Sequence, residues 1–472
     1  MRHPAPWAIA AAVVSAVPAC YHGKRKPDEQ PLDFTKTANP HRLATDLILQ
    51  YKEKNACPGM SVCVSVGGKT VYSKGFGFAD VEQLVRVREN TVFRIASISK
   101  SFTSLLVGRL LDQKKLTVDD DVRTYVPEFP QKMVNGKYAQ IPIRTLLNHT
   151  SGIRSYHKEG DGKGQAAYPE MLLNKRFSSS LEACRLFQDD PLVHSPGQKY
   201  LYSTYAFTLL SAAIERVSAQ SGPIFSLPAE PAEGGKTKMD SIPSWAKIDT
   251  QLCRLFRFLG LRDTFLEYHE KMTPFRSKQY RRKANGVLEN TPTVDNSYKW
   301  AGGGILSTAP DLVRVANHLA NIYMGRLHSR GVITRDTLTT LWHAYPVNSE
   351  GVWQPGLGWF LSRRSGGSIS ERNICPDRLF VLHTGGAVGS TTALLLSLPC
   401  CPIADTDQPE HGDPEEFTTA MSRAPPVCVA VLTNLEDSSE ISQLAVSLAE
   451  VFTEDAVRRI KRDDGSCFAQ QH

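Results

Sequence analysis

At 472 residues, with 41% hydrophobic and 22% charged side chains, the chain has the composition of an ordinary globular protein. It is long enough for one large domain, or for two lobes that share a site. A net charge of +7 spread along the chain argues against a nucleic-acid binder and leaves a weak pull towards an acidic partner or an anionic lipid surface. Ten cysteines without metal-ligand or framework spacing argue against a disulfide scaffold and a metal site, and lean towards a reducing interior.

Residues 1–39 read as a targeting or anchoring segment and a linker. Met1-Arg2-His3 precede an apolar run from Trp7 to Ala19, too short for a comfortable membrane span. Val17-Pro18-Ala19 would suit a secretory cleavage site; organelle targeting fits equally well. Helical spacing of Leu43, Leu47, Ile48 and Tyr51 opens the globular part near Pro40. Met60–Val66 and Thr70–Gly75 alternate apolar and polar about Gly67-Gly68, a β-hairpin.

Further helices are expected over Ile143–Leu147, Tyr205–Val217, Leu252–Leu261, Leu312–Tyr323 and Ile441–Phe452. Strands are expected over Gly356–Leu361, Arg378–Leu382, Thr392–Leu398 and Val427–Thr433, and Cys63 and Cys428 read as small core residues inside strands. The basic run Arg276–Lys283 reads as a solvated face. Residues 160–180 look like a surface excursion, and the polar stretches 219–244 and 401–425 like flexible insertions. Strands at both ends with helices between predict an α+β fold. An antiparallel sheet is built from both chain ends, flanked by helices, with a mostly helical lobe inserted. The domain spans 40–455, followed by a C-terminal tail, 456–472.

The chemistry is expected at Phe93-Arg94-Ile95-Ala96-Ser97-Ile98-Ser99-Lys100. At a helix start, a lysine three residues on returns over the serine. A partly desolvated amine can then activate the hydroxyl, and free N–H groups of the first turn can hold an oxyanion. The pattern alone is weak, since about two chance copies are expected in a chain this long. A second copy, Ser155–Lys158, runs into the polar turn Glu159-Gly160-Asp161-Gly162 and lacks an apolar helix.

Several separated stretches carry a resemblance: the one around Ser97 and Lys100, His149-Thr150-Ser151-Gly152, Leu201-Tyr202-Ser203-Thr204, Asp295-Asn296-Ser297-Tyr298-Lys299-Trp300-Ala301-Gly302-Gly303-Gly304, and His383-Thr384-Gly385-Gly386. In this order they resemble class C β-lactamases, D-Ala-D-Ala carboxypeptidases and related esterases, and within them the serine β-lactamase-like proteins of animal mitochondria. The resemblance implies the β-lactamase/transpeptidase-like fold. It makes Ser97 the acylated nucleophile, and Lys100 with Tyr202 its proton acceptors. The backbone N–H groups of Ser97 and Gly386 become the oxyanion hole, and Thr204, His383, Thr384 and Gly385 line the substrate site. Two departures stand out: Thr204 replaces the family asparagine, and His383 replaces the lysine of a Lys-Thr-Gly strand at a sheet edge. His383 is expected to line the site with a charge that varies near neutral pH, and Tyr202 to titrate low if cations surround it. Asn148 and Tyr156 read as core or turn residues ahead of cleft-lining ones.

The implied activity is that of an active-serine hydrolase without cofactor or metal. The resemblance further implies a peptide or protein substrate, the mitochondrial intermembrane space, a link to lipid metabolism, and assembly into homo-oligomers or filaments. A catalytically weak scaffold and a small-substrate esterase or penicillin-recognising enzyme are the alternatives, and secretion is the alternative location.

Overall fold

The structure, a computed structural model, describes residues 39–156, 169–226, 242–327, 330–345, 352–364, 377–400 and 424–469. The N-terminal segment and most of both insertions lie outside these residues.

The chain enters through helix α1 (Pro40–Lys54), started by the Asn39 cap and Pro40 in the first turn. Strands β1 (Gly59–Val66), β2 (Lys69–Asp80) and β3 (Val85–Arg86) follow, the first two joined at Gly67-Gly68, both with positive φ. Helix α2 (Ser99–Asp112) carries Lys100. Then come α3 (Thr204–Ser221), α4 (Ile248–Phe258) and α5 (Ala309–Tyr323). The chain closes with β4 (Gln354–Pro355), β5 (Phe360–Arg364), β6 (Arg378–Ala387), β7 (Ser390–Pro399), β8 (Val427–Thr433) and α6 (Ile441–Ala469).

The eight strands form one sheet in the order β4-β5-β6-β7-β8-β1-β2-β3, antiparallel throughout. The first and last parts of the chain meet where β8 pairs with β1, Met60 opposite Thr433. Both faces of the central strands are apolar. Val62, Val64, Leu395, Val429 and Val431 face α1 and α6; Cys63, Leu394, Leu396, Ala430 and Leu432 face α5 and the helical lobe. Such two-sided burial explains why Val427–Thr433 reads as an unbroken apolar run. The strand expected over Gly356–Leu361 is instead split into β4 and β5 by a turn at Gly358, φ +79°. Helix α6 runs on past the expected end of the domain to Ala469.

Helix α2 is the axis of the lobe. Eleven of its fourteen residues are buried, so its polar side chains need partners inside the protein. Ser101 donates to Gly358 O (3.2 Å), Thr103 to Ala301 O (2.8 Å) and Ser104 to Leu357 O (2.6 Å). On its apolar side Phe102 meets Phe256 of α4 edge-on at 5.5 Å. These contacts fix α2 against the Leu357–Gly358 turn, the short helix Trp300–Gly303 and α4.

Candidate active site

A two-residue strand, Phe93–Arg94, leads into a short 3-10 turn, Ala96–Ile98, and then α2. Ala96 sits at φ +50°, a left-handed conformation that costs a non-glycine residue roughly 1 kcal/mol. The turn is held from several sides. Ile95 N–H donates to Ile305 O (3.0 Å), Thr392 Oγ1 to Ile95 O (2.9 Å), and Ser99 Oγ to Ala96 O (2.7 Å). Beside it, Arg94 donates to both oxygens of buried Glu267 (2.8 and 2.7 Å) and to Val388 O in the β6–β7 turn. Burial alone would push the Glu267 carboxyl up, but Arg94, Arg276 and Asn296 hold it below its ordinary value.

Ser97 and Lys100 are both buried, at 8% and 0% exposure. Lys100 Nζ lies 3.1 Å from Ser97 Oγ, 2.7 Å from Gly302 O and 3.4 Å from Thr204 Oγ1. Burial, with Lys299 adding to it, holds its pKa well below the ordinary lysine value. A neutral amine has two N–H groups and one lone pair. Gly302 O and Thr204 Oγ1 can take both donors, which leaves the lone pair for the Ser97 hydroxyl.

Tyr202 lies against this pair, with Lys100 Nζ 4.8 Å from its ring centre. Its position follows from the Asn148–Gly152 loop. His149, at φ +62°, accepts from Leu201 N–H through its carbonyl (2.7 Å) and from Ser203 N–H through Nδ1 (3.2 Å), and its ring stacks 4.2 Å from Tyr202. Ser203 Oγ also caps α3 at Ala206 N–H (3.2 Å). Tyr202 Oη is buried and completes no hydrogen bond within the described residues. The expected low pKa is not found: burial pushes the phenol up, opposed only in part by Ser97. The Lys100 amine beside it, itself held well below the ordinary lysine value, does not offset that burial. Tyr202 therefore stays protonated and suits the role of acid, not base.

The third motif is also corrected. Thr384, Gly385 and Gly386 line the same cavity as Ser97, but His383 does not. His383 is 1% exposed, its ring meets Phe360 edge-on, and its Nδ1 lies 2.6 Å from Thr384 O. A carbonyl can only accept, so Nδ1 carries the proton. Burial first, then Lys100, pushes its pKa down to about 3, so it stays neutral across the physiological range. Nor is β6 an edge strand. It has β5 and β7 on either side, but β5 pairs only with Arg378–Leu382. Residues His383–Ala387 are uncovered on that side and meet the Ala96–Ile98 turn instead. A Cβ on Gly385 would stand 2.3 Å from Ile95 O, so only glycine permits this approach.

The cavity encloses about 860 Å³ including its open mouth. Ser155 and Tyr156 line it, so Tyr156 is a cleft residue against expectation; Lys158 of the second motif copy lies outside the described residues. Asn148 keeps its turn role, accepting from Thr150 Oγ1 (2.7 Å). Thr204 lines the cavity too, beside Gly302. Sequence reasoning missed Lys299, Met171, Thr391, Glu436, Asp437 and Ile441, all on the cavity wall. Only Lys299 carried a signal, as a basic residue directly before Trp300-Ala301-Gly302-Gly303-Gly304. Among the described residues, no group of three or more His, Cys, Asp or Glu side chains is placed to hold a metal ion.

Comparisons with known proteins follow this geometry. The chain matches the Beta-lactamase family over residues 44–224 and 251–449. It is 30% identical over 477 residues to the serine beta-lactamase-like protein LACTB, mitochondrial, of Homo sapiens, covering 87% of this chain and 79% of that protein. It is 32% identical over 188 residues to Protein flp of Staphylococcus aureus, covering 40% of this chain and 36% of the other. Among solved structures, the octameric penicillin-binding protein homologue from Pyrococcus abyssi aligns with TM-score 0.60 at 21% identity, over 87% of this chain and 77% of its own. A class C beta lactamase aligns with TM-score 0.56 at 18% identity, over 88% and 97%. At these identities the two structures speak for the fold alone.

Proposed function

The chain belongs to the beta-lactamase family, and from that premise we propose that it is an active-serine hydrolase that turns over through an acyl-enzyme. The observation that carries this reading is the buried Lys100 amine at 3.1 Å from Ser97 Oγ, its pKa held well below the ordinary lysine value.

Lys100 takes the proton of the Ser97 hydroxyl as Oγ bonds to the substrate carbonyl carbon. The carbonyl oxygen becomes an oxyanion, held by the N–H groups of Ser97 and Gly386. The leaving nitrogen or oxygen departs with a proton from Tyr202, which Lys100 then restores. Water attacks the acyl carbon, giving its proton to Lys100, and the acid leaves as Oγ recovers a proton. Thr204 holds the amine in place, and Thr384 and Gly385 bound the acyl group. The site of action is mitochondrial, on the likeness to LACTB, and the substrate a peptide or protein, on the resemblance carried by the sequence motifs. The link to lipid metabolism and self-assembly into homo-oligomers belong to the same proposal.

A fluorophosphonate probe tests it. Intact-mass analysis should find one phosphonyl adduct on the wild type, mapped to the Ser97 peptide, and none on Ser97→Ala. A folded wild type that takes no adduct would turn the reading over to a catalytically weak scaffold.

A further inference from the structure

The cavity has two walls of different character. The helical wall carries Lys299, 5% exposed, set against the rings of Tyr156 (5.5 Å) and Tyr298 (4.9 Å). The sheet wall carries Glu436 and Asp437, which follow β8 and face the same space as Ser97. Their segment is stapled to that wall. Thr391 Oγ1 of β7, itself a cavity residue, donates to Leu435 O (2.9 Å) and accepts from Ser438 N–H (3.1 Å), one bond on each side of the acidic pair. Asp437 stands at φ +59°, among the few side chains that tolerate it. Among the described residues no ion pair or hydrogen bond reaches its carboxylate. Tyr202 lines the same cavity.

The other charges leave the pair unbalanced. Lys100 is held well below the ordinary lysine value, and His383, where the family carries a lysine, is neutral and off the cavity wall. Burial, then Arg94, holds Lys299 down to about 7, so its charge is fading at neutral pH. Arg94 and Arg281 lie within electrostatic reach of Glu436, but Arg94 is already committed to Glu267 and Arg281 to Glu289. A carbonyl substrate with an anionic arm would meet two carboxylates on the sheet wall. One with a cationic arm would meet both carboxylates, Asp437 without a partner among the described residues and Glu436 held by Gly389 N–H.

We propose that Glu436 and Asp437 form a cation-recognising subsite of this cavity, so that the favoured acyl substrates carry a protonated amine or guanidinium. The proposal rests on the hydrolase reading and names its substrate class. It is supported by the state of the two carboxyls. Burial and the Asp437 charge push Glu436 up to about 7. Asp437 is exposed at the mouth, yet the surrounding walls strip enough water to push it up to about 6. A bound cation relieves that cost.

Two fluorophosphonates test this on the full-length protein, alike except that one alkyl chain ends in a primary ammonium and the other in a methyl group. In labelling, Ser97 Oγ bonds to phosphorus, the P–F bond breaks, fluoride leaves and the serine proton passes to Lys100. The ammonium probe should label wild type roughly tenfold faster than the methyl probe at pH 7.5. The ratio should fall towards one in Glu436→Gln/Asp437→Asn. It should invert in favour of a carboxylate-ended probe in Asp437→Lys. Each ratio is internal to one protein, so a poorly folding variant does not mimic the effect. A wild-type ratio near one, or a ratio unchanged in the double variant, overturns the subsite while leaving the hydrolase intact. No labelling by either probe overturns both.

Discussion

Gly385 and Ile95 touch backbone to backbone: a Cβ on Gly385 would stand 2.3 Å from Ile95 O and the same distance from Thr392 Oγ1. That contact seats the candidate oxyanion strand against the turn that carries Ser97. Gly385→Ala should therefore cost about 2 kcal/mol of stability, in the range of core overpacking. It should also slow Ser97 acylation about 100-fold through misplacement. Gly386→Ala, with nothing within 4 Å of its Cβ, should leave stability within about 0.5 kcal/mol of wild type. Chemical denaturation of both variants checks the contrast.

The neutral state of His383 sets the pH dependence. Its pKa of about 3 means that it binds no proton between pH 5.5 and 8. The rate of Ser97 labelling in His383→Asn should then show the same ionisations as wild type over that range, at whatever overall level. Loss of an ionisation in the variant would restore the charge-varying histidine expected from sequence.

Arg94 and Glu267 are a buried pair, with side chains 4% and 1% exposed. Arg94→Met removes the partner that offsets the burial of the carboxylate and should cost about 3–5 kcal/mol. Glu267→Leu in the same protein should recover part of that loss. A double-mutant cycle by denaturant titration measures the coupling.

Glu215, on α3, is 2% exposed and accepts from Ile248 N–H at 3.0 Å. Burial, opposed by that bond, pushes its carboxyl up to about 7. A raised pKa means the folded state binds the proton more tightly than the unfolded one. That advantage is full below the unfolded value and is lost as pH rises through about 7. Glu215→Gln should thus gain up to about 3 kcal/mol relative to wild type between pH 5 and 8.5. Denaturation at the two pH values reads the difference.

Local patterns were legible in the chain. The hairpin about Gly67-Gly68, the helix at Ile143–Leu147 and strand β8 fall where turn chemistry and apolar spacing put them. The Ser97–Lys100 approach was legible because a helix repeats every three to four residues. Protonation states were not, because they depend on burial by distant segments. His383 is pushed down and Tyr202 up by surroundings assembled from residues scattered along the chain. Glu436 and Asp437 were missed for the same reason. In sequence they are an acidic pair after a strand, and only the β7–β8 pairing with the Thr391 staple brings them to the cavity.

The central claim is that Lys100 works as a neutral base, and replacing it by a permanently charged donor tests this most directly. The rate of fluorophosphonate labelling of Ser97 should be compared in wild type, Lys100→Arg and Lys100→Met, each checked for folding by circular dichroism. Arginine can donate to the Ser97 oxygen but cannot take its proton. The expected result is a loss of at least about 1,000-fold in both variants. Labelling of Lys100→Arg at the wild-type rate would contradict the account.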